Sequence, residues 1–166
     1  MSQLKIAIIG GGASGLMAAI TAAKNGANVD IWERNDRVGK KILATGNGRC
    51  NFCNTDLNES HYSGDTAFIK DVLSSRCNDT LDFFKSLGIL PYFENGRVYP
   101  RSEQASAIRD ALIKTCEILK INIVTECYIE NIKEQNGKFR ILNNEYDAVV
   151  IATGGKSAKH TGSDGS

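Results

Sequence analysis

The chain has 166 residues, 42 % apolar and 23 % charged, with a formal net charge of +1 at neutral pH. That length supports one domain with a real core. The near-neutral balance offers no footprint for nucleic acid or an anionic membrane surface, and no stretch approaches the roughly 20 apolar residues of a membrane helix. Five cysteines, Cys50, Cys53, Cys77, Cys116 and Cys127, are odd in number and irregularly spaced. With no secretory leader in view, free thiols in a reducing cytoplasm are expected.

Leu4–Ile9 is an apolar run of strand length that ends in three glycines. From about Ala13 the apolar residues Leu16, Ala19, Ile20 and Ala23 share one helical face. Asn25-Gly26 is a stop signal, with Gly26 suited to a left-handed cap. Val29–Glu33 reads as a second strand. The first 33 residues therefore spell a βαβ unit with a right-handed crossover. From Arg34 to Ser63 the periodicity stops, in a segment rich in Gly, Asn, Lys and Arg. Its embedded Ile42-Leu43, Cys50 and Phe52 predict an ordered, ligand-wrapped loop.

Helices are predicted at about Thr66–Ser75 and Asn78–Leu87, the second stopped by Gly88. Asn95-Gly96 between Tyr92-Phe93-Glu94 and Arg97-Val98-Tyr99 is a strong hairpin signal, with Glu94 and Arg97 expected to pair across it. Ser102 is the expected N-cap of a helix whose buried stripe is Ala105, Ile108, Leu112, Thr115 or Cys116, and Leu119. A strand at Ile121–Thr125 follows. Then come strands at about Tyr128–Glu134, Phe139–Leu142 and Tyr146–Ala152, joined as a meander by Asn136-Gly137 and Asn143-Asn144. The last strand is nearly continuous in apolar residues, so a buried parallel strand is expected, and it runs into Thr153-Gly154-Gly155 as a ligand-facing edge. Thr161–Ser166 is loop chemistry rather than a domain end, which predicts that the sequence is part of something longer.

The glycines carry the chemistry. In Gly10-x-Gly12-x-x-Gly15, Gly10 permits a tight turn, Gly12 leaves room for a pyrophosphate, and Gly15 lets the helix pack on the strand. The helix N-terminus then offers amides and partial positive charge to phosphates, and Ser14 adds a hydroxyl donor. Glu33, at a strand end eighteen positions after Gly15, suits a ribose diol and repels a 2′-phosphate, which favours NAD or FAD at this first site. The following Val38-Gly39-Lys40-Lys41 and Thr45–Asn51 supply cations and exposed amides of the kind a pyrophosphate and a flavin ring need, which favours FAD. Glu33→Ala is expected to lose only ribose contacts. An NAD-dependent dehydrogenase module and a non-catalytic dinucleotide-binding fragment are the alternatives.

Glu33-Arg34 with Gly39-Lys40 resembles the second fingerprint of two-dinucleotide-binding flavoproteins. The run Gly39-Lys40-Lys41-Ile42-Leu43-Ala44-Thr45-Gly46-Asn47-Gly48-Arg49-Cys50-Asn51 is more specific. It resembles the BaiN/YhiN-like family of NAD(P)/FAD-dependent oxidoreductases, which includes aminoacetone oxidases and bile-acid reductases. Gly96–Pro100, Ala152–Ser157 and Thr161-Gly162-Ser163 fit the same family pattern, whereas Cys53 stands where the family more often has Thr.

The resemblance implies a Rossmann-like α/β fold with a parallel sheet and a three-stranded β-meander, incomplete at its C-terminal end. Residues 1–166 would be its N-terminal FAD-binding portion, with an inserted domain and a return segment outside them. It implies phosphate contacts at Gly12, Ala13, Ser14 and Gly154, cofactor contact at Thr153, ribose contact at Glu33, and adenosine-side contacts at Arg34 and the Ile129 backbone. Lys41, Gly46, Asn47, Arg49, Cys50 and Asn51 would lie along the cofactor or beside its ring. FAD is the implied cofactor, NAD(P)H a possible electron donor, and a small molecule the implied substrate of a cytoplasmic enzyme.

No catalytic acid or base is identified, and the oligomeric state is not legible. Cys50-x-x-Cys53 sits in a glycine loop rather than at a helix start, so a thioredoxin-like role is not favoured. No metal site is expected, since a structural zinc needs four ligands and His61 and His160 are the only imidazoles. Cys50, beside the expected flavin, is the better functional cysteine. Trp32, Phe83 and Phe84 read as packing residues.

Overall fold

The computed structural model describes residues 3–62, 66–73 and 77–156. In chain order the elements are β1 (Lys5–Ile9), α1 (Ala13–Lys24), β2 (Asn28–Trp32), β3 (Cys53–Asn54), α2 (Thr66–Leu73), α3 (Cys77–Ser86), β4 (Pro91–Glu94), β5 (Arg97–Pro100), α4 (Ala105–Ile118), β6 (Asn122–Val124), β7 (Lys133–Gln135), β8 (Lys138–Ile141), β9 (Asn144–Tyr146) and β10 (Ala148–Ile151), with 3-10 turns at Ile42–Gly48 and Glu59–His61. They form two units, Met1–Ile42 with Leu112–Ser166, and Leu43–Ala111. Ser75, Ser157, His160 and the Thr161–Ser166 segment of the sequence reading lie outside the described residues.

The first unit is built on a four-stranded sheet in the order β10-β1-β2-β6. All three pairings are parallel, with Ile6 registered on Val29 and on Ala148. From β1 the chain moves one way through β2 to β6, then returns to the other side at β10, so the strand order reverses at β1. In open α/β sheets such a reversal opens a crevice at the carboxyl ends of the strands. Ala7 and Ile8 on β1 and Leu16, Ala19 and Ile20 on α1 are buried, as the helical stripe predicts. Gly26 ends α1 as expected. At φ +88° it donates to the Ala23 carbonyl at 3.0 Å, and Ala27 donates to Ala22 at 3.1 Å. These are the two bonds of a Schellman cap.

The meander β7-β8-β9 is antiparallel and carries the chain from β6 to β10. Its boundaries correct the expectation. Tyr128–Ile132 is not strand, and the segment expected as one strand from Tyr146 to Ala152 is two, β9 and β10. Asp147 makes the break. Its carboxylate accepts from the Lys5 backbone amide at 2.8 Å, while its own amide donates to the Lys5 carbonyl at 2.7 Å. A hydrogen bond from Lys138, and next the Lys5 amide, holds that carboxyl below the usual range. The second meander turn is Leu142-Asn143, one residue earlier than expected, because Ile141 registers on Asn144. β10 is parallel but not buried, since Ile151 is 63 % exposed. It is an edge strand among the described residues, half-buried at Ala148 and Val149 and exposed at Val150 and Ile151.

Trp32, Tyr146, Ile141, Ala7 and Ile9 form a core cluster, against which Ile129 packs partly buried. A polar network runs through it. Tyr146 Oη donates to Asp30 at 2.7 Å, Trp32 Nε1 donates to Tyr146 Oη at 3.1 Å, and Asn122 Nδ2 donates to Asp30 at 3.0 Å. Buried polar groups must be paired, so this network fixes β9 and β6 against β2. Burial first, then donation to Asp30, pushes the Tyr146 phenol well above its ordinary range.

In the second unit β3, β5 and β4 form an antiparallel sheet. Asn95 and Gly96 both take left-handed conformations, φ +49° and +80°, as a two-residue type I′ hairpin turn requires. Glu94 faces Arg97 in register, but its carboxylate accepts from Arg49 instead. Phe84 is buried and contacts the rings of Phe52 and Phe83. The helix α4 buries Ala105, Ile108, Leu112, Thr115 and Cys116 of the expected stripe, whereas Leu119 lies beyond its end and is half-buried. It begins at Ala105, too far downstream for Ser102 to be its N-cap.

Candidate functional site

The glycine turn leaves β1 at the carboxyl end of the sheet, where the strand order reverses. Gly10 sits at φ +102°, and a Cβ there would lie 2.5 Å from the Ala152 carbonyl oxygen. A Cβ on Gly15 would lie 1.9 Å from the Gly10 carbonyl oxygen. Backbone blocks both positions, so the helix and the end of β10 close on β1 only because side chains are missing. Gly12 is different. A Cβ there meets nothing within 4 Å, so this glycine leaves open space in front of α1.

No side chain caps α1. Gly12 is its N-cap residue and no acid lies in the first turn. The first bond to the helix interior runs from Leu16 N–H to the Gly12 carbonyl at 2.9 Å, so the amides of Ala13, Ser14 and Gly15 precede it. Ala13 and Ser14 are exposed. An uncapped N-terminus behind a glycine that opens into free space is the arrangement that receives phosphate oxygens. Thr153 and Gly154, exposed and with Gly154 at φ +79°, follow β10 at the same end of the sheet.

Glu33 lies one residue beyond β2 and is only 7 % exposed. Its carboxylate already has partners. Oε2 accepts from the Gly11 amide at 2.7 Å, and Oε1 accepts from the Asn35 amide at 2.8 Å and the Asn35 side-chain nitrogen at 2.6 Å. The expectation that Glu33→Ala loses only ribose contacts is therefore corrected, because the same change strips the partner from the buried Gly11 amide.

Gly11 is the residue that motif reading missed. Its carbonyl accepts from Gly39 at 2.8 Å, and a Cβ on it would lie 2.3 Å from Val38 Cγ1 and 3.2 Å from Glu33 Oε2. The 33–39 segment thus folds over the turn and holds it from both sides. The three consecutive glycines were the only available signal, since x in Gly10-x-Gly12 is unconstrained by the motif.

Arg34 and Lys41 are half-buried and engaged. Lys40 pairs with Asp36 at 3.3 Å. Ile129 lies outside any strand, its side chain against the Trp32 cluster.

The second-unit candidates form a tightly turned loop. Gly46, Asn47, Gly48 and Cys50 have φ +55°, +55°, +82° and +60°. Left-handed backbone costs most non-glycine residues about 1–2 kcal/mol, with Asn among the exceptions, so Cys50 holds strain that surrounding contacts must maintain. Arg49 supplies them. It donates to Glu94 at 2.9 Å and Glu103 at 3.0 Å, and its guanidinium lies 4.0 Å from the Tyr99 ring centre. The Glu94 hydrogen bond, then Glu103, raises its pKa further. Gly46 meets the same ring, with Tyr99 Cε1 3.2 Å from where its Cβ would be. Asn51, with its amide nitrogen turned toward two carbonyls, donates to Val98 at 3.2 Å and Cys53 at 2.6 Å. Cys50 is buried, and that burial pushes its thiol above the ordinary range. A reactive thiolate needs an accessible setting, which the burial of Cys50 does not offer.

The Rossmann-domain model described as HI0933-like matches residues 4–166. The 3-dehydro-bile acid delta(4,6)-reductase of Clostridium scindens is 43 % identical over 170 residues, covering 98 % of this chain and 42 % of that protein. The ribosomal RNA dihydrouridine synthase of Haemophilus influenzae is 30 % identical over 162 residues, covering 90 % of this chain and 40 % of that protein. A flavocytochrome c3 fumarate reductase in its open conformation shares the fold, with a TM-score of 0.67 at 19 % identity over 93 % of this chain and 34 % of that one. The chain spans about two fifths of the length of these curated relatives. Among the described residues, no helix is long and apolar enough to cross a membrane.

Proposed function

This chain belongs to the HI0933-like Rossmann-domain family, and from that premise we propose that it is the FAD-binding part of a flavoprotein oxidoreductase. One observation carries the reading: a buried Glu33 carboxylate fixed on the Gly11 amide, at the strand end beside an uncapped helix whose Gly12 opens into free space. The donor set fits the cofactor. Amides of Ala13 and Ser14 would take pyrophosphate oxygens with Thr153 and Gly154 across the strand reversal. Glu33 would take the adenosine ribose, with Arg34 and the Ile129 backbone on the adenosine side. Lys41 and the Gly46–Asn51 loop would serve the flavin half.

When bound, FAD supplies two-electron transfer at its ring. The chain itself contributes orientation and charge. The α1 N-terminus neutralises part of the pyrophosphate charge, and the Glu33 carboxylate disfavours a 2′-phosphate. Residues 1–166 then form an N-terminal dinucleotide-binding portion of the enzyme, with NAD(P)H as the proposed electron donor. The 43 % likeness to a bile-acid reductase favours a small conjugated ketone as substrate of the parent enzyme.

The purified protein is expected to be yellow and to release FAD on denaturation. Binding of NADH without flavin affinity would overturn the reading. With flavin bound and chemically reduced, reoxidation by a conjugated ketone supports the substrate class, and reoxidation by ribosomal RNA alone replaces it.

A further inference from the structure

The partners of Glu33 restrict how it meets a ribose, an inference that rests on the FAD reading. A carboxylate has about four acceptor positions, two on each oxygen. Oε1 has both taken, by the Asn35 backbone amide at 2.8 Å and the Asn35 carboxamide at 2.6 Å. Oε2 has one taken, by Gly11 at 2.7 Å. One acceptor position remains, and it lies on Oε2.

Asn35 is itself held from behind. Its carbonyl accepts from Glu126 at 2.9 Å, and the Glu33 carbonyl accepts from Cys127 at 2.9 Å. The residues flanking the carboxylate are thus pinned to the segment after β6, and the Asn35 carboxamide is delivered to Oε1 by ordered backbone. Val38 and Gly39 pin Gly11 on the other side. The carboxylate therefore has little freedom to rotate and offer both oxygens.

We propose that Asn35 is a positioning and specificity residue. It occupies Oε1 so that Glu33 accepts a single hydroxyl of the adenosine ribose, through Oε2, rather than both hydroxyls of the diol. Asn35 keeps its place when the cofactor is bound.

The test is FAD affinity of the purified protein, read by flavin fluorescence, against two analogues that lack either the 2′- or the 3′-hydroxyl of the adenosine ribose. One analogue is expected to bind roughly tenfold or more weakly, the loss of one charge-assisted hydrogen bond, and the other within about threefold of FAD. In Asn35→Ala the backbone amide remains but one position on Oε1 is released, so both hydroxyls gain an acceptor and both deletions should now weaken binding. A merely structural role would lower affinity for all three ligands alike and leave their ratios unchanged. Asn35→Ser, which keeps a short donor, guards against a folding defect, and its ratios should fall between those of Asn35→Ala and the parent.

Equal losses for the two analogues in the parent protein overturn the proposal, as do unchanged ratios in Asn35→Ala. Both results leave FAD binding intact. A parent protein that binds no FAD overturns the functional reading and this inference with it.

Discussion

The glycine turn of the first unit and the Thr45–Asn51 loop of the second are both rich in glycine, yet they are held by different physics. In the turn, Gly10 and Gly15 face backbone atoms closer than any Cβ could stand, 2.5 and 1.9 Å away. Its shape follows from close packing, which cannot yield without moving a strand or helix. In the loop the sign of φ matters as well as space, which is short only at Gly46, where a Cβ would lie 2.8 Å from the Asn51 amide nitrogen. Gly48, for example, has nothing within 4 Å of where a Cβ would be, and Asn47 and Cys50 adopt left-handed backbone without being glycine. What keeps the loop in place is the Arg49 guanidinium between two carboxylates and the Tyr99 ring. The contrast teaches that a glycine-rich stretch can be rigid by exclusion or by tethering, and that only tethering responds to salt.

Gly15→Ala should show the largest effect. Its Cβ collides with the Gly10 carbonyl, and overpacking against backbone costs roughly 3 kcal/mol, measurable as a drop in the urea midpoint of unfolding. A midpoint equal to the parent's would mean that the helix rides on the strand more loosely than the turn geometry demands.

Arg49→Met should be milder and of a different character. It retains much of the stem that packs on Tyr99 but removes both ion pairs, which are partly exposed and therefore screened. Tm should fall in low salt, and the gap to the parent should narrow at about 1 M salt. A salt-independent gap would mean that ring stacking, rather than charge, tethers the loop.

Gly12→Ala should barely register in stability, changing it by about 0.5 kcal/mol or less, because its φ is −77° and nothing lies within 4 Å of the added carbon. FAD affinity should nevertheless fall by roughly tenfold or more, because the new methyl fills the space in front of the helix amides. Loss of stability without loss of affinity would reverse the roles assigned to Gly12 and Gly15.

Much of the first unit was legible in the sequence. The strand at β1, the helix from Ala13, the stop at Gly26 and the Asn136-Gly137 turn, like the Asn95-Gly96 turn of the second unit, all depend on residues within a few positions of one another, where periodicity and turn chemistry act directly. The errors fall where distant residues decide. Asp147 falls inside the strand expected from Tyr146 to Ala152, but its partner is Lys5, 142 residues away. Glu94 looks like a cross-strand partner for Arg97, but it is claimed by Arg49, 45 residues away.

The sequence by itself determined that a glycine turn leads from a strand into a helix, where it stands, and that an acid follows it at a strand end. These are local consequences of backbone freedom at glycine and of the strand-helix-strand pattern. Only the tertiary structure decided what that acid does between ligands. Glu33 reaches back 22 residues to the Gly11 amide and shares its other oxygen with Asn35. A carboxylate's remaining acceptor positions depend on which donors the fold brings to it, and no spacing rule counts them.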